Sequence, residues 1–248
     1  MTRSASAVRR RLRAHAVPGN AAILQRFFKT GPGEYGEGDR FIGVKVPGIR
    51  VVCRECRGVA DAVVLELLQS KVHEERLLAL LILVDRFQHG VSAEANGDRA
   101  RRREQARRRI YLTYLANTAF INNWDLVDAS AAQIVGGWLR TRSRAPLDRL
   151  ARSASLWERR IAIVSTFAFI REHEFVDTFR IADLLLEDEH DLIHKAVGWM
   201  LREVGKRDGR ALRRYLASRH RRLPRTSLRY AIERFPETER RTYLAGQV

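Results

Sequence analysis

Proline and glycine are scarce in this chain, six and sixteen in 248 residues, which leaves few turn formers for an architecture of many short strands. No stretch of alternating apolar and polar residues reads as a strand. Nothing rich in Gly, Pro and Ser divides the chain, so residues 1–248 are expected to form one continuous domain, long enough for a substantial core. No apolar run reaches the roughly 18 residues that a membrane span needs, and the N-terminal stretch has no signal-peptide core. A cytoplasmic protein without a membrane partner is expected. The basic, amphipathic stretch "SASAVRRRLRAHA" (4–16) reads as a first helix packed on the next, in preference to a membrane-surface helix.

Cysteine is nearly absent too. Cys53 and Cys56 form C-R-E-C, half of a zinc site with no second pair and without the strand and helix that follow a thioredoxin-like motif. They read as residues packed on one helix face. His190 and His194 have ligand spacing but lack the Glu of a zincin motif, and read as a helix pair. No metal and no cofactor are expected.

Lysine is the third scarcity: of 46 basic residues only Lys29, Lys45, Lys71, Lys195 and Lys206 are lysine. The net charge of +17 is therefore carried by arginine, whose planar fork suits phosphate oxygens. A polyanion is the expected partner, nucleic acid foremost. A genome that favours Arg codons would raise the arginine count, but acidic residues could have cancelled the net charge and do not.

Against these absences stands a recurrent helical pattern, with apolar residues at i, i+3, i+4 and i+7. "PGN" at 18–20 separates two helices, "GPGEYGEGDR" (31–40) is a loop, Pro47 opens a helix, and "VSAEANGD" (91–98) is a polar connection. A polar or basic residue leads into an apolar ridge at Arg76 ("RLLALLIL"), Arg160 ("RIAIVSTF"), Lys195 ("KAVGWML") and Arg229 ("RYAIERF"). The last three follow one another at about 35 residues, a period of the HEAT type of α-solenoid. The expected fold is all-α, antiparallel helix pairs stacked into a curved body with a concave basic groove. In that groove would lie Trp124, Asp128, Arg160 and Trp199. The basic run "RARRREQARRR" (99–109) reads either as an ordered helix end that clamps DNA or as a flexible arm.

"FIGVKVP" (41–47), "NNWDLVD" (122–128), "LWERRIAI" (156–163) and "IHKAVGWMLRE" (193–203), in that order, resemble the AlkD-like DNA alkylation repair glycosylases, built from HEAT-like repeats. The resemblance spans about residues 20 to 245. It implies release of positively charged N3- or N7-alkylated purines, 3-methyladenine, 7-methylguanine or bulkier adducts, from duplex DNA; a monomer is the default expectation. By motif position Trp124 and Asp128 match the family's first cleft Trp and catalytic Asp, Arg160 matches an arginine at the DNA backbone, and Trp199 matches the second cleft Trp. Aromatic residues that some members carry before that second Trp are replaced here by Asp191 and Leu192, and the loop at 31–40 is a further departure. Trp138 and Trp157 read as structural.

Those residue types suit that chemistry. A cationic alkylpurine leaves as a neutral base, so no general acid is required, and what remains is the oxocarbenium character of the sugar. A carboxylate and electron-rich aromatic faces stabilise growing positive charge. Trp124 and Asp128 are four apart and share a helix face, whereas Asp125 points elsewhere. With no lysine in the motif a Schiff base is not expected, so the enzyme would be monofunctional. The resemblance further implies a lesion held without a deep base-flipping pocket. The alternative is a non-catalytic HEAT-like module that binds damaged or branched DNA, against which an acid in a basic groove argues.

Overall fold

Ser4 begins the first helix: its hydroxyl accepts the Ala7 N–H, satisfying one of the donors a helix start leaves open. The helix, α1 (Ala5–Arg13), turns Ala5, Val8 and Leu12 inward. In the computed structural model, which describes residues 4–89 and 99–248, the rest of the first part is equally helical. It contains α2 (Asn20–Phe27), α3 (Val46–Glu55) with Pro47 in its first turn, α4 (Asp61–Leu68), α5 (His73–His89), α6 (Arg99–Ala116) and the short α7 (Trp124–Asp128). A π-helical turn, Ala132–Gly136, precedes α8 (Gly137–Leu139). Then come α9 (Ala145–Ala151), α10 (Leu156–Ser165), α11 (Phe167–Ile170), α12 (Val176–Leu184), α13 (Asp191–Gly205), α14 (Gly209–Ala217), α15 (Arg225–Ala231) and α16 (Glu237–Ala245). No strand occurs among the described residues, only the isolated bridges Ala16–Val44 and Arg40–Val72. The fold is all-α, as expected. No helix among the described residues is long and apolar enough to cross a membrane.

The chain divides into two compact units, Met1–Ile134 and Val135–Val248. In the first, α5 is the hub: it packs on α3, α4, α6 and α7, and Leu77, Leu78, Leu80 and Ile82 are almost wholly withdrawn from solvent. In the second, α13 lies between α10 and α15 and against α14. The residues that set the period of about 35, Arg160, Lys195 and Arg229, thus mark three helices that stack in succession, each preceded by a first helix, α9, α12 or α14.

Two of the motif blocks have structural reasons. The carboxylate of Glu74, 1 % exposed, accepts the backbone N–H groups of Ile42, Gly43 and Val44 at 2.8–3.2 Å, so "FIGVKVP" is pinned to the start of α5. In "KAVGWML", Gly198 lets α13 approach α15: a Cβ there would stand 2.5 Å from Tyr230 Cβ and 2.6 Å from the Ser227 carbonyl oxygen. Ser227 Oγ also donates to the His194 carbonyl at 2.9 Å. Gly198→Ala is expected to cost about 1–3 kcal/mol by overpacking, read from urea denaturation. An unchanged midpoint would mean that α15 moves away freely.

The basic run at 99–109 belongs to α6, an ordered helix. Arg103 and Arg107 donate to the Gln88 and Phe87 carbonyls at 2.8 Å, supplying partners for the open carbonyls in the last turn of α5. The connection at 91–98 lies outside the described residues. Arginine is in part structural elsewhere too: Arg86 is buried and donates to the Arg57 and Val59 carbonyls and to Asp61.

Candidate active site

α7 is barely more than one turn long, and propensity alone would not hold it. Asn123, fully buried, caps it by accepting the Trp124 N–H at 2.8 Å. Its first turn is tied to α5 by Asp125, whose Oδ2 lies 2.8 Å from His73 Nε2. His73 Nδ1 is 2.9 Å from Asp39 at the end of the 31–40 loop. Arg76 donates to Asp39 at 2.6 Å, and Asn123 Nδ2 donates to it at 3.4 Å. Arg76, Asp39, His73 and Asp125 therefore alternate in sign, and the chain of four is neutral when the imidazole carries its proton.

His73 is 2 % exposed. Burial opposes its charge, but the hydrogen bonds to Asp125 and Asp39 outweigh that and hold its pKa above the ordinary value of 6.5. For Asp39 burial also opposes the charge, and the contacts with His73 and Arg76 prevail, keeping its pKa below the ordinary carboxylate value.

Beside this network runs a ladder of rings. Trp124 stacks on Phe28 with centroids 5.2 Å apart, Phe28 on Phe41 at 5.1 Å, and Phe41 on His73 at 4.5 Å. Phe27, 62 % exposed, meets Trp124 edge-on at 6.0 Å. Phe28 and Phe41 are buried whereas Trp124 is half-buried, so the indole tops the ladder, one side on rings and the other towards the surface.

Asp128 ends α7, on the face of Trp124 and likewise half-buried. Behind α7 lies Tyr114, without solvent exposure. Ser130 Oγ donates to the Leu126 carbonyl at 2.6 Å, which commits its one proton, so the Tyr114 hydroxyl donates to Ser130 across 3.0 Å. Burial, reinforced by the negative charge of Asp128, pushes the Tyr114 phenol well above its ordinary pKa. It stays protonated and braces the turn that presents Asp128.

The structure thus brings Trp124 and Asp128 together on one helix and turns Asp125 away to His73. Arg160 and Trp199 lie in the second unit. Arg160, on α10, is 5 % exposed and donates to the Leu192 carbonyl in the first turn of α13, so its guanidinium sits inside the unit, where the sequence led to an expectation of a surface contact. Arg160→Ala is expected to cost about 1–3 kcal/mol, because a hydrogen bond from a buried charged donor to a carbonyl is lost; an unchanged denaturation midpoint would show that the bond contributes nothing. Trp199, on α13, is half-buried and 6.0 Å from the Phe167 ring. Over Phe167 stand the Arg171 and Arg207 guanidinium groups at 4.4 and 5.5 Å.

The remaining sequence candidates are structural. Cys53 and Cys56 are free and buried; burial pushes the Cys53 thiol up to about 11 and the Cys56 thiol upward as well, so neither is a ready nucleophile. His190 caps α13 by accepting the Leu192 N–H at 3.1 Å, and burial lowers its pKa. Among the described residues no group of three or more His, Cys, Asp and Glu could hold a metal ion. Trp138 lies under the Arg142 guanidinium at 3.6 Å.

Asp39, His73 and Tyr114 escaped the sequence reading. The available signal was "HEER" (73–76), four polar residues heading an apolar ridge, each no more than 3 % exposed.

The sequence profile of the family described as "DNA alkylation repair enzyme" matches residues 8–235. A solved structure described as a predicted DNA alkylation repair enzyme from Enterococcus faecalis superposes with a TM-score of 0.64 over 90% of this chain and 98% of that one, at 16% identity. A likeness at that identity speaks for the fold. No curated protein matches the chain.

Proposed function

The chain belongs to the DNA alkylation repair enzyme family, which places its role in the repair of alkylation damage to DNA, and on that premise we propose that it is a monofunctional DNA glycosylase. Its substrates would be cationic N3- and N7-alkylated purines in duplex DNA, hydrolysed at the N-glycosidic bond as the first step of base excision repair. The observation that carries this reading is a carboxylate and an indole on one face of a helix held at both ends. Asp128 and Trp124 reach the surface while buried bonds to His73, Asp39 and Ser130 fix what lies behind them.

In this mechanism the alkylated base departs as a neutral molecule once the glycosidic bond lengthens. Asp128 stabilises the oxocarbenium character left on the deoxyribose and orients or deprotonates the attacking water. Trp124 offers the sugar an electron-rich face and excludes bulk solvent. Trp199 is proposed as the aromatic contribution of the second unit to the duplex. Arg160 is proposed to favour the DNA backbone as a fixed positive charge from beneath the surface. A cationic leaving group needs no protonation, whereas an uncharged base would have to leave as an anion, so uncharged lesions would be excluded. Water reaches C1′, the base leaves with the bonding electron pair, and the proton lost by water goes to Asp128.

The test is release of N7-methylguanine and N3-methyladenine from a methylated duplex, wild type against Asp128→Asn. Duplex binding without any release by the wild type would assign the chain to the non-catalytic binding module instead.

A further inference from the structure

α6 separates its arginines by direction. At 100° per residue, Arg103 and Arg107 fall on the side of Ile110, Tyr111 and Tyr114, the buried side, and there they close the end of α5. Arg101 and Arg108 fall on the opposite side, seven residues apart, and Arg102 and Arg109 form a second such pair alongside. All four are exposed. None has an acidic partner or a hydrogen bond among the described residues. Four like charges therefore line one face over about 12 Å.

The helix itself disfavours this arrangement. Its first turn carries no acid, and cations near a helix N-terminus oppose the positive end of the macrodipole. An anion along this face would relieve both repulsions. Gln105, exposed on the same face, adds a neutral donor. The apolar side that a membrane-surface helix would need is already buried within the first unit. What fits a row of planar forks at this spacing is a row of phosphates, and one strand of duplex DNA offers them along its length.

We propose that Arg101, Arg102, Arg108 and Arg109 form a phosphate-binding stripe on α6 that grips duplex DNA without regard to sequence or lesion. The proposal rests on the reading of duplex DNA as the partner, but not on base release. The stripe supplies affinity and residence on undamaged DNA while Asp128 and Trp124 supply the chemistry.

The experiment measures binding of a short, lesion-free DNA duplex by fluorescence anisotropy between about 50 and 200 mM salt. It compares the wild type with the fourfold variants Arg→Gln and Arg→Lys at these positions. The expected result is a salt slope lower in magnitude by about 1 for each arginine lost to Gln, and largely retained with Lys. Thermal midpoints close to the wild type's are expected, because among the described residues these side chains make no ion pair or hydrogen bond. A slope equal to the wild type's in the Gln variant overturns the proposal, and so does a wild type that binds no duplex. If instead the slope falls while no alkylated base is ever released, the glycosylase reading fails and the stripe stands.

Discussion

Asp128→Asn is expected to slow release of N7-methylguanine and N3-methyladenine from methylated duplex DNA by about 10²–10³-fold. The substitution keeps the shape of the side chain and removes its charge. If the carboxylate acts on a sugar that becomes electron-poor as the base leaves, its effect is felt in the transition state and hardly in the ground state, so the loss falls on the rate at saturation. Affinity for the duplex should hold or rise, because an anion facing a phosphate backbone repels it. Release at the wild-type rate would remove Asp128 from the chemistry.

The helix that carries Asp128 is held by other groups. α7 is capped by Asn123 and tied down by Asp125, and its far side is braced through Ser130 and Tyr114. Those bonds do not pass through the Asp128 carboxylate, so Asp128→Asn leaves them in place. A variant that loses activity together with stability would instead report a structural role, and the two cases separate on one denaturation curve.

How far the sequence foretold this arrangement differs from residue to residue. Helical periodicity separated Asp128 from Asp125 correctly, because residues four apart share a face and residues one apart do not. It could not name the partner of Asp125, since His73 lies 52 positions away and only the packing of α5 on α7 brings the two together. The repeat of leading residues was legible and corresponds to the stack of α10, α13 and α15, because an apolar ridge must recur wherever a helix is covered on successive sides. Whether a leading residue faces solvent was not legible. Arg160 was expected at the surface and lies inside, where it donates to the Leu192 carbonyl. "HEER" shows the same limit: a charged run ordinarily marks a solvated face, and here its members are buried because each charge meets a partner from a distant segment. That the 99–109 run is an ordered helix follows from its contacts with the end of α5, which no periodicity encodes.

His73→Ala is expected to destabilise the first unit by about 3–5 kcal/mol, the usual result of breaking a buried charge network on one side only. Asp39 would keep Arg76, but Asp125 would lose its buried partner and α7 its tie to α5. The pH dependence tests the cause. His73 has a folded-state pKa raised above 6.5, so its contribution is fully present below that value and fades as pH rises through the folded-state pKa. Asp39, lowered from 3.8, contributes above that value and loses its contribution as pH falls through its folded-state pKa. The stability gap between wild type and His73→Gln, which keeps a polar side chain but cannot carry the proton, should therefore be widest between these limits and narrow on the alkaline side. Urea denaturation at a series of pH values reads it directly. A gap that stays constant well above pH 6.5 would mean that His73 is held neutral, and that α7 is positioned by hydrogen bonds alone. A narrowing gap would further predict that alkylbase release declines on the alkaline side, because the helix that presents Trp124 and Asp128 would then be held by one charge fewer.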